Sequence, residues 1–158
     1  VVRIIILLAY MKLATLSSDV KRLFSYHGAE HKTIFCYEHG YKLTVENVRK
    51  ESRFHPRCGT SFLLVVVVVS ILVNSVVTET NTYIRMLYHL ALLPVVVGIS
   101  YEINRWCGAH DNLLSSILSA PGKWLQRITT AEPDDGMMEC AIRALELVIP
   151  EEKGSDAW

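Results

Sequence analysis

The sequence predicts a mainly α-helical membrane protein, and three of its features support this class. No charged residue occurs between Gly59 and Thr78, and none occurs between Met86 and Tyr101. Uncharged apolar runs of this length are typical of membrane-spanning helices. Hydrophobic residues make up 51% of the chain although 20% is charged, so the apolar residues are concentrated in segments. Lysines and arginines flank these runs but are absent from residues 78–82, as expected for a hairpin whose tip lies outside the cytoplasm.

Charge and cysteine content exclude several other classes. The 16 lysines and arginines equal the 16 acidic residues, so the composition does not indicate a nucleic-acid-binding surface. The four cysteines, at positions 36, 58, 107 and 140, form no C-x-x-C pair. They therefore suggest neither a disulfide framework nor a zinc ribbon. The partner that the composition indicates is the lipid bilayer.

We predict one membrane-embedded domain over residues 1–158, at the cell inner (cytoplasmic) membrane and crossing it several times. Its segments are a partial membrane helix at 1–16, a cytoplasmic segment at 17–58, membrane helices at 59–78 and 83–101, and a cytoplasmic helical segment at 102–158. The chain starts Val-Val-Arg without Met, which favours its being the C-terminal part of a longer protein.

The cytoplasmic segment at 17–58 should begin with a helix. Ser17, Ser18 and Asp19 are residues that cap helix N-termini, and the helix should run toward Tyr37. Gly40 is a plausible stop for it. Residues 43–48 then suggest a short strand or turn followed by a helical turn.

Prolines set the expected boundaries in the second half of the chain. Pro94 interrupts the second membrane run, which a membrane helix tolerates. Pro121 and Gly122 predict a turn. Pro133 fits the first position of a final helix that runs to about Ile149.

The strongest chemical pattern is H-x-x-E-H at residues 27–31. At about 100° per helical residue, His31 lies about 40° from His27, Glu30 about 60° to the other side, and Glu38 within about 20° of His27. These four side chains would form one stripe. Two imidazoles one turn apart can bind Zn²⁺ or a similar divalent ion, and a nearby carboxylate can ligate the ion or act as a general base. The alternative is a solvated polar face.

Other candidate ligands flank the membrane runs. His55 and Cys58 precede the first run and are plausible ligands of a borderline-soft metal, although Cys58 could also simply pack at a helix entry. Arg57 between them could hold an anionic group. Glu102 follows the second run, where it could ligate a metal or pair with Arg105 at i+3.

Five short sequence motifs, called words below, together resemble the YqhQ-like family of bacterial membrane proteins. This family is a domain of unknown function whose members are generally labelled as metal-dependent enzymes. The words are YHGAEHKT at 26–33, LTVEN at 43–47, HPRCGTSF at 55–62, PVVVGISYE at 94–102 and LQRITTAEPDD at 125–135. The resemblance implies metal dependence without naming a reaction. It gives weight to the candidates His27, Glu30, His31, His55, Cys58 and Glu102, and to three acidic residues of the last word: Glu132, Asp134 and Asp135.

Members of this family usually carry a preceding portion with G-G-Q-A-V and E-G-V-M-M-R stretches, which this sequence lacks. The resemblance implies that such a portion could complete the site.

Pattern and resemblance together predict a metal-dependent integral membrane enzyme, with hydrolysis as the expected reaction and zinc as the expected ion. His27 and His31 would bind the ion and Glu30 would activate water. The remaining ligand would come from one of four residues: Glu38, His55, Cys58 or Glu102. The alternative function is a non-catalytic membrane assembly or scaffold protein whose His/Glu cluster is structural.

Overall fold

The computed structural model describes residues 2–110 and 112–150, and within them it has seven helices and no strand. The helices are α1 (Val2–Ala14), α2 (Ser18–Glu38), α3 (Val45–Lys50), α4 (Gly59–Ser75), α5 (Thr82–Ala109), α6 (Leu113–Thr129) and α7 (Asp135–Glu146). The mainly helical class is therefore confirmed for this part of the chain. Of the predicted segments, 1–16 and 102–158 extend over residues 1, 111 and 151–158, which lie outside the described ranges.

The chain divides into two compact units. The histidine unit comprises residues 2–55 and 124–150, and contains α1, α2, α3 and α7. The hairpin unit comprises residues 56–110 and 112–123, and contains α4 and α5. We describe each unit by itself.

Helix α2 is the central element of the histidine unit. It starts after Ser17, whose backbone is extended, and ends before Gly40, whose φ of 71° is a left-handed conformation that favours glycine. The N–H of Tyr41 closes this end by donating to the carbonyl of Cys36 at 3.0 Å. The predicted helix and its predicted stop are both confirmed.

One face of α2 forms the core of the histidine unit with α3 and α7. The buried members of this core are Ala29, Cys36, Val48, Met138 and Ile142. Burial, and to a lesser extent the Glu51 carboxylate, raises the pKa of the Cys36 thiol. Cys36 is thus a protonated, packed side chain of the core.

Side-chain caps start the two helices that pack on α2. Thr44 accepts from the N–H of Asn47 at 3.4 Å, so residues 43–48 form a cap and the start of α3 instead of a strand. Asp134 accepts from the N–H of Met137 at 2.9 Å and starts α7. The final helix therefore begins after Pro133, not at it, and ends at Glu146, before the predicted Ile149.

Gly28 allows another part of the chain to lie directly on α2. A Cβ at this position would be 2.1 Å from the carbonyl oxygen of Ala131. The N–H of Ala131 donates to the carbonyl of Phe24 at 2.8 Å. The backbone around Ala131 is thus held against α2 at a distance that only glycine permits.

The hairpin unit is built on α4 and α5, which pack against each other. Among the described residues, α5 alone is long and apolar enough to cross a membrane by length and composition. Helix α4 has 17 residues; at about 1.5 Å per residue it spans roughly 25 Å, less than the roughly 30 Å of hydrocarbon. It ends at Ser75, short of the predicted Thr78. The predicted transmembrane hairpin is therefore not confirmed, and the apolar stretch Ile4–Ala14 is shorter still.

The turn predicted at Pro121 and Gly122 is wrong, because α6 continues through both residues. A Cβ on Gly122 would be 2.6 Å from the Cβ of Ser61. Helix α6 approaches α4 closely at this residue, and a tertiary contact of this kind can override the local turn preference of a Pro-Gly pair.

Replacing Gly28 by alanine should destabilise the protein. Alanine is the better helix former by about 1 kcal/mol, but its Cβ would collide with backbone, an overpacking that costs roughly 1–3 kcal/mol. Chemical unfolding in detergent, followed by circular dichroism, measures the change.

Gly136→Ala is the matched control, because a Cβ at Gly136 would meet Asp134 only at 3.5 Å. This variant should be neutral or more stable. Equal stabilisation by Gly28→Ala and Gly136→Ala would contradict the close contact at Ala131.

Candidate functional site

Two of the predicted ligands face each other on α2. The ring centroids of His27 and His31 are 4.4 Å apart, with the rings inclined by 68°. A possible ligand atom of one lies within 4.8 Å of one on the other. His31 is 3% exposed and His27 is half-buried. The predicted placement of the two imidazoles one turn apart on one helical face is confirmed.

Backbone carbonyls determine the tautomer of both rings in their neutral form. The Nδ1 of His27 lies 2.8 Å from the carbonyl oxygen of Thr129. The Nδ1 of His31 lies 2.6 Å from the carbonyl oxygen of Arg53. Because a carbonyl can only accept, Nδ1 carries the proton in both rings, and the lone pair of each neutral imidazole is on Nε2.

A third imidazole belongs to the same cluster. The ring of His55 lies 5.8 Å from that of His31 and 4.4 Å from that of Phe35. Its Nε2 is 3.1 Å from a carboxylate oxygen of Glu38, so Nε2–H donates and the lone pair of the neutral ring is on Nδ1. His55 is 3% exposed, whereas the Glu38 side chain is 30% exposed. We call His27, His31 and His55 the histidine cluster.

Gln126 holds the backbone of His55 from both sides. Its Oε1 accepts from the N–H of His55 at 2.8 Å, and its Nε2 donates to the carbonyl of His55 at 2.6 Å. Gln126 is fully buried, so these bonds replace contacts that the backbone would otherwise make with water. The position of His55 in the cluster is thus set by an α6 side chain.

Arg53 and Lys32 tie the same segments together. Arg53 donates to the carbonyl of Thr130, and to its hydroxyl at 2.9 Å. The buried Lys32 donates to the carbonyl of Arg49 at 3.0 Å and pairs with Glu132. Arg53 therefore joins the loop before His55 to the segment after Thr129, and Lys32 joins α2 to the end of α3 and to the same segment.

The three acidic residues of the last word, at 125–135, form ion pairs or cap a helix within the histidine unit. Glu132 pairs with Lys32 and, at 3.8 Å, with Arg53. Asp134 caps α7, and Asp135 pairs with Arg49, which raises the pKa of that guanidinium through their hydrogen bond and charge attraction. The structure gives these acids structural partners on the histidine unit.

Glu30, the predicted general base, lies on α2 one residue before His31, with its side chain exposed to solvent. Its role stays a prediction.

The remaining predicted residues belong to the hairpin unit. Cys58 is 5% exposed and caps α4, with its Sγ accepting from the N–H of Thr60 at 3.4 Å. The stem of Arg57 lies against Gly108, where a Cβ would be 2.4 Å from the Arg57 Cγ. Glu102 pairs with Arg105 at 3.7 Å, the i+3 alternative of its two predicted roles. The ligand roles predicted for Cys58 and Glu102 stay predictions.

Sequence patterns missed the residues that hold the cluster in place. Gln126, Arg53 and Lys32 are polar side chains without a recognisable spacing to the histidines. Gln126 and Lys32 do lie inside the words at 125–135 and 26–33, which was the available signal. Arg53 lies outside every word. The carbonyl of Thr129 acts through its backbone, so its side-chain identity carries no signal.

In its neutral form, each of the three imidazoles has one nitrogen lone pair. Each ring has its other nitrogen bonded to an oxygen acceptor, the arrangement that orients histidine ligands in metal sites. Such donors suit Zn²⁺ and similar first-row divalent ions. The chemistry that the residues themselves support is therefore binding of a borderline cation.

The chain matches the family described as "Protein of unknown function (DUF1385)" over residues 1–151, and it belongs to that family. It is also similar to the "Uncharacterized protein YqhQ" of Bacillus subtilis (strain 168), with 41% identity over 143 residues. This match covers 90% of the chain but 45% of the relative, so the chain spans less than half the length of the relative. The resemblance to the YqhQ-like family is thus confirmed. No solved structure matches the chain.

Replacing Gln126 by leucine should destabilise the histidine unit, because it leaves the buried N–H and carbonyl of His55 without this partner. Each such group costs about 1–3 kcal/mol. Arg127→Leu, at the exposed neighbouring position, should change stability by no more than about 0.5 kcal/mol. Chemical unfolding followed by tryptophan fluorescence compares them. Equal stability of the two variants would show that Gln126 does not hold His55.

Proposed function

We propose that the histidine cluster holds a divalent metal ion, with zinc as the expected ion, and that the chain is part of a membrane-bound metal-dependent hydrolase. One observation carries the proposal: each of the three imidazoles has one ring nitrogen bonded to an oxygen. The acceptors are the carbonyls of Thr129 and Arg53 and the carboxylate of Glu38.

Three histidines suit a catalytic more than a structural ion. Catalytic zinc sites commonly have three protein ligands and one position for water, whereas structural sites have four protein ligands. Nitrogens at about 2.0–2.1 Å from one ion lie roughly 3–3.5 Å from each other. His27 and His31 have ligand atoms within 4.8 Å of each other, so a shared ion requires these atoms to approach by at most about 1–2 Å more.

The carboxylates of α2 would have different tasks. A divalent ion in the cluster would supply Lewis-acid activation of water for the proposed hydrolysis. Glu38 is bonded to His55, so in the proposal it orients that ring and is not a ligand. Glu30 is exposed beside His31 and is assigned to accept the proton of water.

The polarity of α5 supports the membrane part of the proposal. Its large apolar side chains are exposed, with Leu90 at 66% and Leu93 at 52%, whereas Ser100 is fully buried. Only 11% of an 18-residue apolar stretch of α5 is buried, whereas the core helix of a water-soluble protein would be mostly buried. Exposed apolar side chains and a buried hydroxyl are expected for a helix that contacts lipid.

We further propose that α4 and α5 form a membrane hairpin, with residues 78–82 outside the cytoplasm. The connection between the two helices has no lysine or arginine, whereas residues 17–58 are rich in both. Such an asymmetry places the basic segment on the cytoplasmic side. Crossing by α4 would require a few more residues at its end or local thinning of the bilayer.

Metal content tests the cluster directly. The chain purified in detergent and loaded with zinc should hold one ion, measured by elemental analysis after removal of free metal. His27→Ala and His31→Ala should abolish stoichiometric binding, because each removes a ligand. Glu38→Gln should weaken affinity by roughly 10–100-fold, as loss of an orienting partner does. Glu30→Gln should retain the ion.

His39→Ala is the matched control, because His39 is a partly exposed imidazole that pairs with Glu51 outside the cluster. It should leave zinc content unchanged. Binding that survives the loss of both His27 and His31 would refute the site. Absence of zinc binding by the unsubstituted chain would favour the alternative of a structural polar cluster.

Labelling of single cysteines tests the topology. A cysteine in place of Thr80 should react with an impermeant maleimide added outside intact cells. The native Cys140, which is exposed on the histidine unit, should react only after permeabilisation. Labelling of Thr80→Cys only from the cytoplasmic side would contradict the proposed orientation.

A further inference from the structure

We propose that α6 is a membrane-interface helix, and that the face formed by Leu113, Leu114, Ile117 and Leu118 contacts lipid. This inference rests on the membrane part of the proposed function. It adds to that proposal a helix that is not part of the proposed membrane hairpin of α4 and α5. The argument concerns residues 113–123, the part of α6 that belongs to the hairpin unit.

The four apolar residues form one stripe. Their spacing of i, i+1, i+4 and i+5 places them on one side of a helix. All four are exposed: Leu113 by 78%, Leu114 by 55%, Ile117 by 58% and Leu118 by 42%. A stripe of this kind would normally face the core of a water-soluble domain.

The opposite side of α6 is more buried and approaches α4 at one point. Ser115 is 4% exposed and Ser119 is half-buried. Gly122 lies so close to Ser61 of α4 that a Cβ would be 2.6 Å from the serine Cβ. The helix therefore buries its small and polar side and exposes its apolar side.

This inverted polarity argues for lipid as the occupant. In water, the exposed stripe would forgo the favourable burial of four large apolar side chains. Lipid removes that cost without any rearrangement of the buried serines. The exposed leucines and valines of α5 belong to the same unit, so the stripe adds to a surface that already has this polarity.

Length and charge place α6 at the surface of the bilayer instead of across it. At about 1.5 Å per residue, residues 113–123 extend roughly 16 Å, less than the roughly 30 Å of hydrocarbon. This part of α6 carries Lys123 and no acidic residue. A cationic group on an otherwise apolar and small-residue helix suits anionic lipid headgroups.

An environment-sensitive fluorophore on single cysteines tests the inference. The background is the full chain with Cys140→Ser, because the other three cysteines are buried. The probe is attached at Ile117→Cys on the stripe, at Ser116→Cys on the other exposed side, and at Leu90→Cys on α5. The protein is reconstituted into vesicles of phosphatidylethanolamine and phosphatidylglycerol, with and without lipids that carry a quencher on the acyl chain.

The probe at Ile117 should be quenched by these lipids several-fold more strongly than the probe at Ser116. The probe at Leu90 should be quenched as well. Quenching at Leu90 without quenching at Ile117 would overturn the inference about α6 and leave the membrane proposal intact. Quenching at neither position would overturn both.

A stripe covered by protein would give a different result. The Ile117 probe would then be shielded from aqueous iodide but not quenched by the labelled lipids, in which case a protein partner or a second copy is the occupant and the inference is wrong. The Ser116 probe should be quenched by iodide in every case.

Discussion

The contact between the backbone near Ala131 and α2 at Gly28 is the constraint on which the histidine unit depends. Gly28 provides the space, and the bond from Ala131 to the carbonyl of Phe24 holds the segment in place. The same segment supplies the carbonyl of Thr129 to His27 and that of Thr130 to Arg53. Glycine in the middle of a helix costs about 1 kcal/mol of helix stability relative to alanine. The contact with Ala131 explains why a glycine nevertheless follows His27 in α2.

Parts of this arrangement follow from local sequence and parts do not. The start and end of α2 and the shared face of His27 and His31 depend on capping residues and helical periodicity, so they were predictable. The bonds from Gln126 to His55 and from Thr129 to His27 join residues far apart in sequence, which no periodicity encodes. Glu38 was predicted as a possible ligand from its angular position, and that role stays a prediction. Its bond to His55, 17 positions away, was not indicated by any sequence pattern.

The second half of the chain shows how packing overrides local signals. Pro121 and Gly122 have the composition of a turn, yet the fit of Gly122 against Ser61 keeps them inside α6. The apolar run after Gly59 predicted a helix long enough to cross a membrane, but α4 ends at Ser75. The hydropathy pattern therefore predicted the presence of α4 and α5 but not the residues at which they end. The inverted polarity of α5 and α6, with serines buried and leucines exposed, could be seen only once the packing was known.

The tautomers of His27 and His31 test the central claim most directly. The chain, labelled with ¹⁵N at its six histidines, is examined in detergent by long-range ¹H–¹⁵N correlation, with assignment by single His variants. The account predicts rings protonated at Nδ1 and unprotonated at Nε2, with the Nε2 resonances shifting when zinc is added. Protonation at Nε2 in both rings, or no shift with zinc, would contradict it.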